Sequence, residues 1–260
     1  MRCSTMIERL EVLSPTTMAQ DWDNVGLLAG RSDKEIRSVY LAVDATDEVI
    51  RNAVKMGADL LITNHPLIFK PMKKINNEDF IGRRVLKLLQ QDISYYAMHT
   101  NFDVMGMSDA AADELGLRDR KVLEITYEDD ISKEGEGRYG KLPRIMSLVE
   151  CAAYVKKTFH IESVKVFGDP EMTLERVAIV PGSGKDYIGL AIEAGVECLI
   201  TGDVDHHSGI DALAQGLAII DAGHYGLEKL FIPYMKEFFR RELPDIKVVT
   251  AEFQNPFWIL

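Results

Sequence analysis

Apolar positions along the chain switch between strand spacing and helix spacing several times. Ser38–Asp44 (SVYLAVD) is a compact run of aliphatic and aromatic residues and predicts a strand. Asp47–Met56 follows with helical spacing, and Gly57 supplies its stop. Ala58–Thr63 (ADLLIT) predicts a buried strand, Asp79–Gln91 a helix, Ile93–Met98 a strand and Ser108–Leu115 a helix closed by Gly116. The stretch Tyr127–Lys141 (YEDDISKEGEGRYGK) is charged and glycine-rich, and predicts a loop leading into a strand of the second half. Beyond it come helix Ser147–Thr158, strand Val164–Phe167, strand Leu174–Val180, helix Lys185–Ala194, strand Glu197–Thr201, helix His206–Gln215 and strand Leu217–Asp221. Tyr225–Arg241 closes the pattern as a long helix, interrupted or started late at Pro233, and the tail Ile246–Leu260 reads partly as strand. Such a rhythm predicts an α/β fold with a mixed or parallel sheet under covering helices.

The second half echoes the first. Ala53–His65 (AVKMGADLLITNH) and Ala191–Asp203 (AIEAGVECLITGD) share Ala, Gly, Leu, Ile and Thr at matched places, 138 positions apart. The same offset pairs Val39–Val43 with Val177–Pro181, and an offset of 125 pairs Tyr96–His99 with Asp221–His224. The expected architecture is therefore two similar α/β units related by an internal repeat, residues 1–126 and 127–260, with a site in the cleft between them. Outer elements of the first half are allowed to pack with the C-terminus.

Composition narrows the function. The chain has 260 residues and a net charge of −11, which disfavours a broad nucleic-acid interface but leaves room for a small anion at a locally positive point. Three cysteines without C-x-x-C spacing argue against a disulfide framework and fit a reducing, cytoplasmic setting. No apolar run approaches the ~20 residues of a membrane span. The opening MRCSTMIERLEVL reads as an amphipathic helix with Ser4 as its cap, not as a signal peptide.

Candidate chemistry gathers behind the strands. His65 follows ADLLIT; His99-x-x-x-Asp103 follows one strand, and His224-x-x-x-Glu228 follows its counterpart 125 positions on. Open α/β sheets collect ligands at this edge. Imidazole and carboxylate together suit Zn, Mn, Fe or Co, and a helix starting near Gly223 would put His224 and Glu228 on one face. Each residue alone has a bland alternative, a hydrogen-bonded turn histidine or a surface His–Glu pair, and the weight rests on their joint recurrence. His206 and His207 open a helix, so at most one of them faces the cleft. Gly182, Ser183, Gly184 and Lys185 join a strand to a helix and read either as an anion cradle or as a tight turn. No G-x-S-x-G elbow occurs, and Cys198 falls in a buried strand, so nucleophilic catalysis has little support.

Five segments taken together resemble one family. They are Asp21–Leu28 (DWDNVGLL), Ile62–Phe69 (ITNHPLIF), His99–Asp103 (HTNFD), Ile200–Asp203 (ITGD) and Asp221–Tyr225 (DAGHY), in this order over nearly the whole chain. The chain is similar to the Nif-three-like dinuclear metal-centre family, many of whose members are named as homologues of GTP cyclohydrolase I, type two. The resemblance implies two divalent ions per chain held by His65, Asp103, His224 and Glu228, and a ring-shaped homo-hexamer. One departure matters: the family has two adjacent histidines before the proline, and this chain has Asn64-His65. An asparagine offers a carbonyl oxygen, a weaker ligand for zinc-like ions than imidazole. One ion would then be held loosely, or His99 would compensate.

Two functions compete, against a third reading in which the chain is a purely structural α/β protein with chance histidines. One is a metal-dependent hydrolase of a purine nucleotide, with His99 or His207 as acid/base and Gly182–Lys185 on phosphate. The other is a non-catalytic metal- or nucleotide-binding module that works through partners.

Overall fold

The computed structural model describes residues 1–252 and 255–260. In chain order the elements are α1 (Cys3–Leu13), β1 (Gly26–Ala29), β2 (Ser38–Ala42), α2 (Asp47–Lys55), β3 (Leu60–Thr63), α3 (Phe80–Gln90), β4 (Ser94–Ala97), α4 (Thr100–Phe102), α5 (Ser108–Leu115), β5 (Arg118–Glu128) and β6 (Lys133–Ser147). They continue with α6 (Leu148–Thr158), β7 (Lys165–Phe167), β8 (Thr173–Ser183), α7 (Ile188–Glu193), β9 (Cys198–Gly202), α8 (His206–Ala214), β10 (Ala218–Asp221), α9 (His224–Glu228), α10 (Phe231–Glu242) and β11 (Lys247–Thr250). A π-helical turn, Asp103–Met107, joins α4 to α5.

The chain forms two compact units. The first comprises Met1–Phe102 and Phe231–Gln254, the second Asp103–Leu230 and Asn255–Leu260. Their extents differ from the expected halves. Residue 126 lies inside β5, a strand paired along most of its length with β6, so the chain cannot divide there. The C-terminal α10 and β11 return to the first unit, where β11 adds parallel to β2. Phe253 and Gln254, in the tail read partly as strand, lie outside the described residues.

In the first unit the strand order is β1-β4-β3-β2-β11. β2, β3 and β4 are parallel, and β1 runs antiparallel to β4. One face packs Tyr40, Leu61, Tyr95 and Ala97 against Ile50 and Ala53 of α2 and Val85 and Leu88 of α3. Val39, Leu41, Leu60, Ile62 and Tyr96, on the other pleat, are also buried. Burial on both faces is why these strands read as continuous apolar runs. Helix starts follow local chemistry: Thr46 caps α2 through Val49 N–H, and Asp79 caps α3 through Gly82 N–H. α1 begins without the Ser4 cap expected for it; its flanking residue is Arg2, and no side chain caps it.

The second unit has the order β5-β6-β8-β9-β10-β7. Leu174, Val177, Ile179, Cys198, Ile200, Ala218 and Ile220 face one core with α5 and α6. The alternate residues Ala178, Val180, Leu199 and Ile219 face another with Ala191 of α7 and Ala212 of α8. The loop and following strand expected over Tyr127–Lys141 are present, but the loop is only residues 129–132, the turn of a β-hairpin whose first strand, β5, was not foreseen. Most of the hairpin's charged residues are exposed or half-buried, which hid the strand pattern; Arg138 is the buried one, bonded to Asp109. The long closing helix is two helices, and Pro233 stands in the first turn of α10, where a missing N–H costs little.

The internal repeat is visible in the registers. Val39 pairs with Leu60 and Val177 with Cys198; Leu60 pairs with Ser94 and Cys198 with Ala218. β1-β4-β3-β2 and β7-β10-β9-β8 thus share order and direction. Among the described residues no helix is long and apolar enough to cross a membrane.

Candidate metal centre

In each unit the candidate histidines and their aspartate partners gather near the C-terminal ends of the parallel strands, where the chain leaves the sheet. In the first unit Asp44 follows β2, Asn64 and His65 follow β3, and His99 follows β4. His65 Nδ1 lies 2.8 Å from Asp44 Oδ1. His99 Nδ1 lies 2.9 Å from Asp23 Oδ1, and the His65 and His99 rings meet edge-on with centroids 5.4 Å apart. Asp23 reaches this point because β1 runs antiparallel to β4 with Gly26 opposite Ala97. Burial alone would raise the Asp23 carboxyl, but the hydrogen bond and charge of His99 and the hydrogen bonds from Thr100 outweigh it, lowering its pKa from 3.8 to about 2. Asn64 is fully buried, and its side-chain amide has no hydrogen-bond partner among the described residues.

In the second unit Asp203 follows β9 and His224 opens α9 after β10. His224 Nδ1 lies 2.7 Å from Asp203 Oδ2, and His224 Nε2 lies 3.1 Å from Glu228 Oε1. Glu228 is buried, and α9 places it one turn below His224, as the i, i+4 spacing predicts. Asp103 begins the π-helical turn; such turns recur at functional sites.

A common device emerges. His65, His99 and His224 each have Nδ1 against an aspartate carboxylate. A carboxylate on Nδ1 fixes the tautomer and ring orientation and leaves Nε2 as the lone-pair donor, as around metal-bound histidines. Sequence reasoning assigned no role to Asp23, Asp44 or Asp203. A signal existed: Asp23 and Asp203 stand inside two of the resembling motifs, and Asp44 ends a predicted strand.

The other expected site residues fare differently. Gly182 and Ser183 end β8, and Gly184 and Lys185 begin the turn after it. A Cβ on Gly182 would lie 2.5 Å from Glu228 Oε1, and one on Gly184 would strike the Thr201 side chain. Close approach to neighbouring side chains thus accounts for both glycines. The helix after them, α7, has only 6 residues. Lys185 is exposed. His207 sits exposed at the start of α8 with its ring against that of His206. The three cysteines are buried, and burial pushes the Cys151 thiol up to about 12, which removes them as nucleophiles.

Comparison with known proteins agrees with this reading of the fold. Residues 1–256 match the family model Duf34/NIF3 (NGG1p interacting factor 3). The GTP cyclohydrolase 1 type 2 homolog of Clostridium perfringens is 33% identical over 261 residues, covering 99% of this chain and 99% of that protein. A crystal structure of a Staphylococcus aureus hypothetical protein superposes with a TM-score of 0.89 at 28% identity, covering 100% of this chain and 99% of that one. A Bacillus cereus protein related to NIF3 superposes with a TM-score of 0.91 at 23% identity, covering 100% of this chain and 99% of that one, which speaks to fold alone.

Proposed function

Because the chain belongs to the Duf34/NIF3 family, we propose that it is a metal-dependent hydrolase of a purine nucleotide, with two divalent ions per chain. His65 and Asn64 of the first unit and Asp103, His224 and Glu228 of the second supply the donors. The carrying observation is that three histidines from three strand ends each have Nδ1 held by an aspartate. The donor set also fits such ions: imidazole and carboxylate suit Zn, Mn, Fe and Co, and an ion on the Asn64 amide oxygen would satisfy a buried group that otherwise costs about 1–3 kcal/mol.

When bound, such ions polarise carbonyl or phosphoryl oxygens and make hydroxide available near neutral pH. The chain's own residues do the rest. Asp44 and Asp203 keep His65 and His224 oriented; Asp103 and Glu228 balance positive charge. His99, its Nδ1 held by Asp23, exchanges a proton at Nε2 as acid/base, with His207 the alternative. Purine nucleotides are the substrate class suggested by the names of the relatives. Assembly as a hexamer belongs to the same proposal, and light scattering reads it.

The test is metal analysis of untagged protein followed by turnover of a nucleotide panel, with and without chelator. Up to two ions per chain are expected, most of them lost in His224→Ala, with slow turnover restored by Mn, Zn or Fe. Equal metal in wild type and His224→Ala would overturn the donor assignment. Asn64 favours a second reading, a non-catalytic binding module, because an amide holds zinc-like ions less tightly than the imidazole it replaces. Tight nucleotide binding without turnover by fully metallated protein would select that reading.

A further inference from the structure

We infer that Trp22 and Phe69 form a stacking platform for the planar base of the substrate, beside the His99–His65 pair. This rests on the purine-nucleotide reading above. Trp22 is 59% and Phe69 46% exposed, and unlike the chain's other exposed aromatics they pair with each other beside the candidate site, with centroids 5.8 Å apart at 52°. The Trp22 ring also meets the His99 ring edge-on at 6.0 Å, and His99 meets His65 at 5.4 Å. Four rings thus run in sequence from the most exposed, Trp22 and Phe69, to the candidate donors. A base seated on Trp22 would be one ring removed from His99, the acid/base group.

The exposure of Trp22 belongs to a held conformation. Its neighbour Asp23 has a fully buried side chain and accepts from His99, from Thr100 N–H at 3.1 Å and from Thr100 Oγ1 at 2.6 Å. Gln20 N–H donates to Thr100 Oγ1 at 2.9 Å, and Asn24 Nδ2 donates to the Ile68 carbonyl at 2.6 Å, tying the Trp22 loop to the residue before Phe69. Both rings are presented on backbone fixed by these bonds, so binding a base need not order a mobile loop. A flat, exposed indole recognises a heteroaromatic face regardless of its substituents. Trp22 and Phe69 would therefore supply affinity, while the polar groups of the donors select and act on the base.

The chain has two tryptophans, so Trp258→Phe leaves Trp22 as the sole reporter of indole fluorescence. That variant is titrated with guanosine, GTP and inorganic triphosphate, both zinc-loaded and chelator-stripped, with calorimetry alongside. Guanosine and GTP should quench Trp22 to saturation, and triphosphate should not. In the wild-type background Trp22→Ala should weaken guanosine binding about five-fold to a hundred-fold; Trp22→Phe should retain most of it, and both should keep the far-ultraviolet dichroism of the parent. If calorimetry registers binding but Trp22 emission is unchanged and Trp22→Ala binds as well as wild type, the platform is overturned and the hydrolase proposal stands. If neither guanosine nor GTP binds protein that holds its metal, the purine reading and the platform fall together.

Discussion

Asparagine in place of Asp203 keeps the shape of the side chain but loses the charge that orients His224 through Nδ1. Removing such a partner typically costs 10–100-fold in metal affinity. Asp203→Asn and Asp44→Asn should therefore weaken metal binding by about that factor without unfolding the chain, as a chelator titration would measure; unchanged affinity would leave these carboxylates only a structural part. Asp23 makes a different prediction, about acid stability. Its carboxyl is lowered from 3.8 to about 2 in the folded chain. A depressed carboxyl contributes stability that is present above its unfolded value and lost as pH falls through the folded one, so the window is about pH 4 down to pH 2. Allowing for solvent screening, the contribution is between about 1 and 2 kcal/mol. Denaturant unfolding at pH 5 and pH 2.5 should show a larger loss for wild type than for Asp23→Asn, and equal losses would refute the assignment. The histidines themselves were legible in the sequence because each follows an apolar strand. Which aspartate meets which histidine was not, since Asp23 precedes its histidine by 76 residues and Asp44 and Asp203 each stand 21 residues before theirs, so the sheets bring them together.

Strands and helices explain which residues could be foreseen. Strands β2, β3, β9 and β10 read directly because both their faces are buried and most of their positions are apolar, with a polar residue only at a strand end or next to it. β5 did not, because Leu123 is its one buried position and most of the others are exposed, many of them charged. The duplication was readable from the offset of matched motifs, and its physical basis is the shared register of the two sheets. Divergence between the copies is also informative. In the first unit the strand-end residues after β2 and β3 are Asp44 and His65, whereas in the second Gly182 at the end of β8 and Asp203 after β9 hold the matching places. The glycine has a local reason. Its φ is +81°, and a Cβ would press on Glu228 Oε1, which is buried and has little room to retreat. Gly182→Ala should thus combine backbone strain of about 1 kcal/mol with displacement of a proposed metal donor. The expected outcome is metal loss comparable to that of Glu228→Gln and a modest fall in Tm; retention of full metal content would separate the glycine from the site.

At the scale of the whole molecule, the candidate donors belong to two units, and ligand linkage tests the proposed metal binding in each. An ion that binds only the folded chain stabilises it by RT ln(1 + [L]/Kd), about 2.7 kcal/mol at a hundred-fold excess over Kd. For a chain of this length, each kcal/mol raises Tm by about 2–4 °C, so zinc loading should shift the melting curve visibly. His65 belongs to the first unit and His224 to the second. If each ion takes donors from both units, His65→Ala and His224→Ala should each abolish most of the gain in Tm. If each ion is confined to one unit, either substitution should remove only part of the gain, and the two losses should add in the double variant. Calorimetric scans of the four proteins with zinc and with chelator distinguish these outcomes. His160→Ala is the control: its histidine lies at the end of α6 with no donor role assigned, and it should keep the full wild-type gain. A zinc-induced shift that survives both His65→Ala and His224→Ala undiminished would place the ions elsewhere and overturn the proposed donor set.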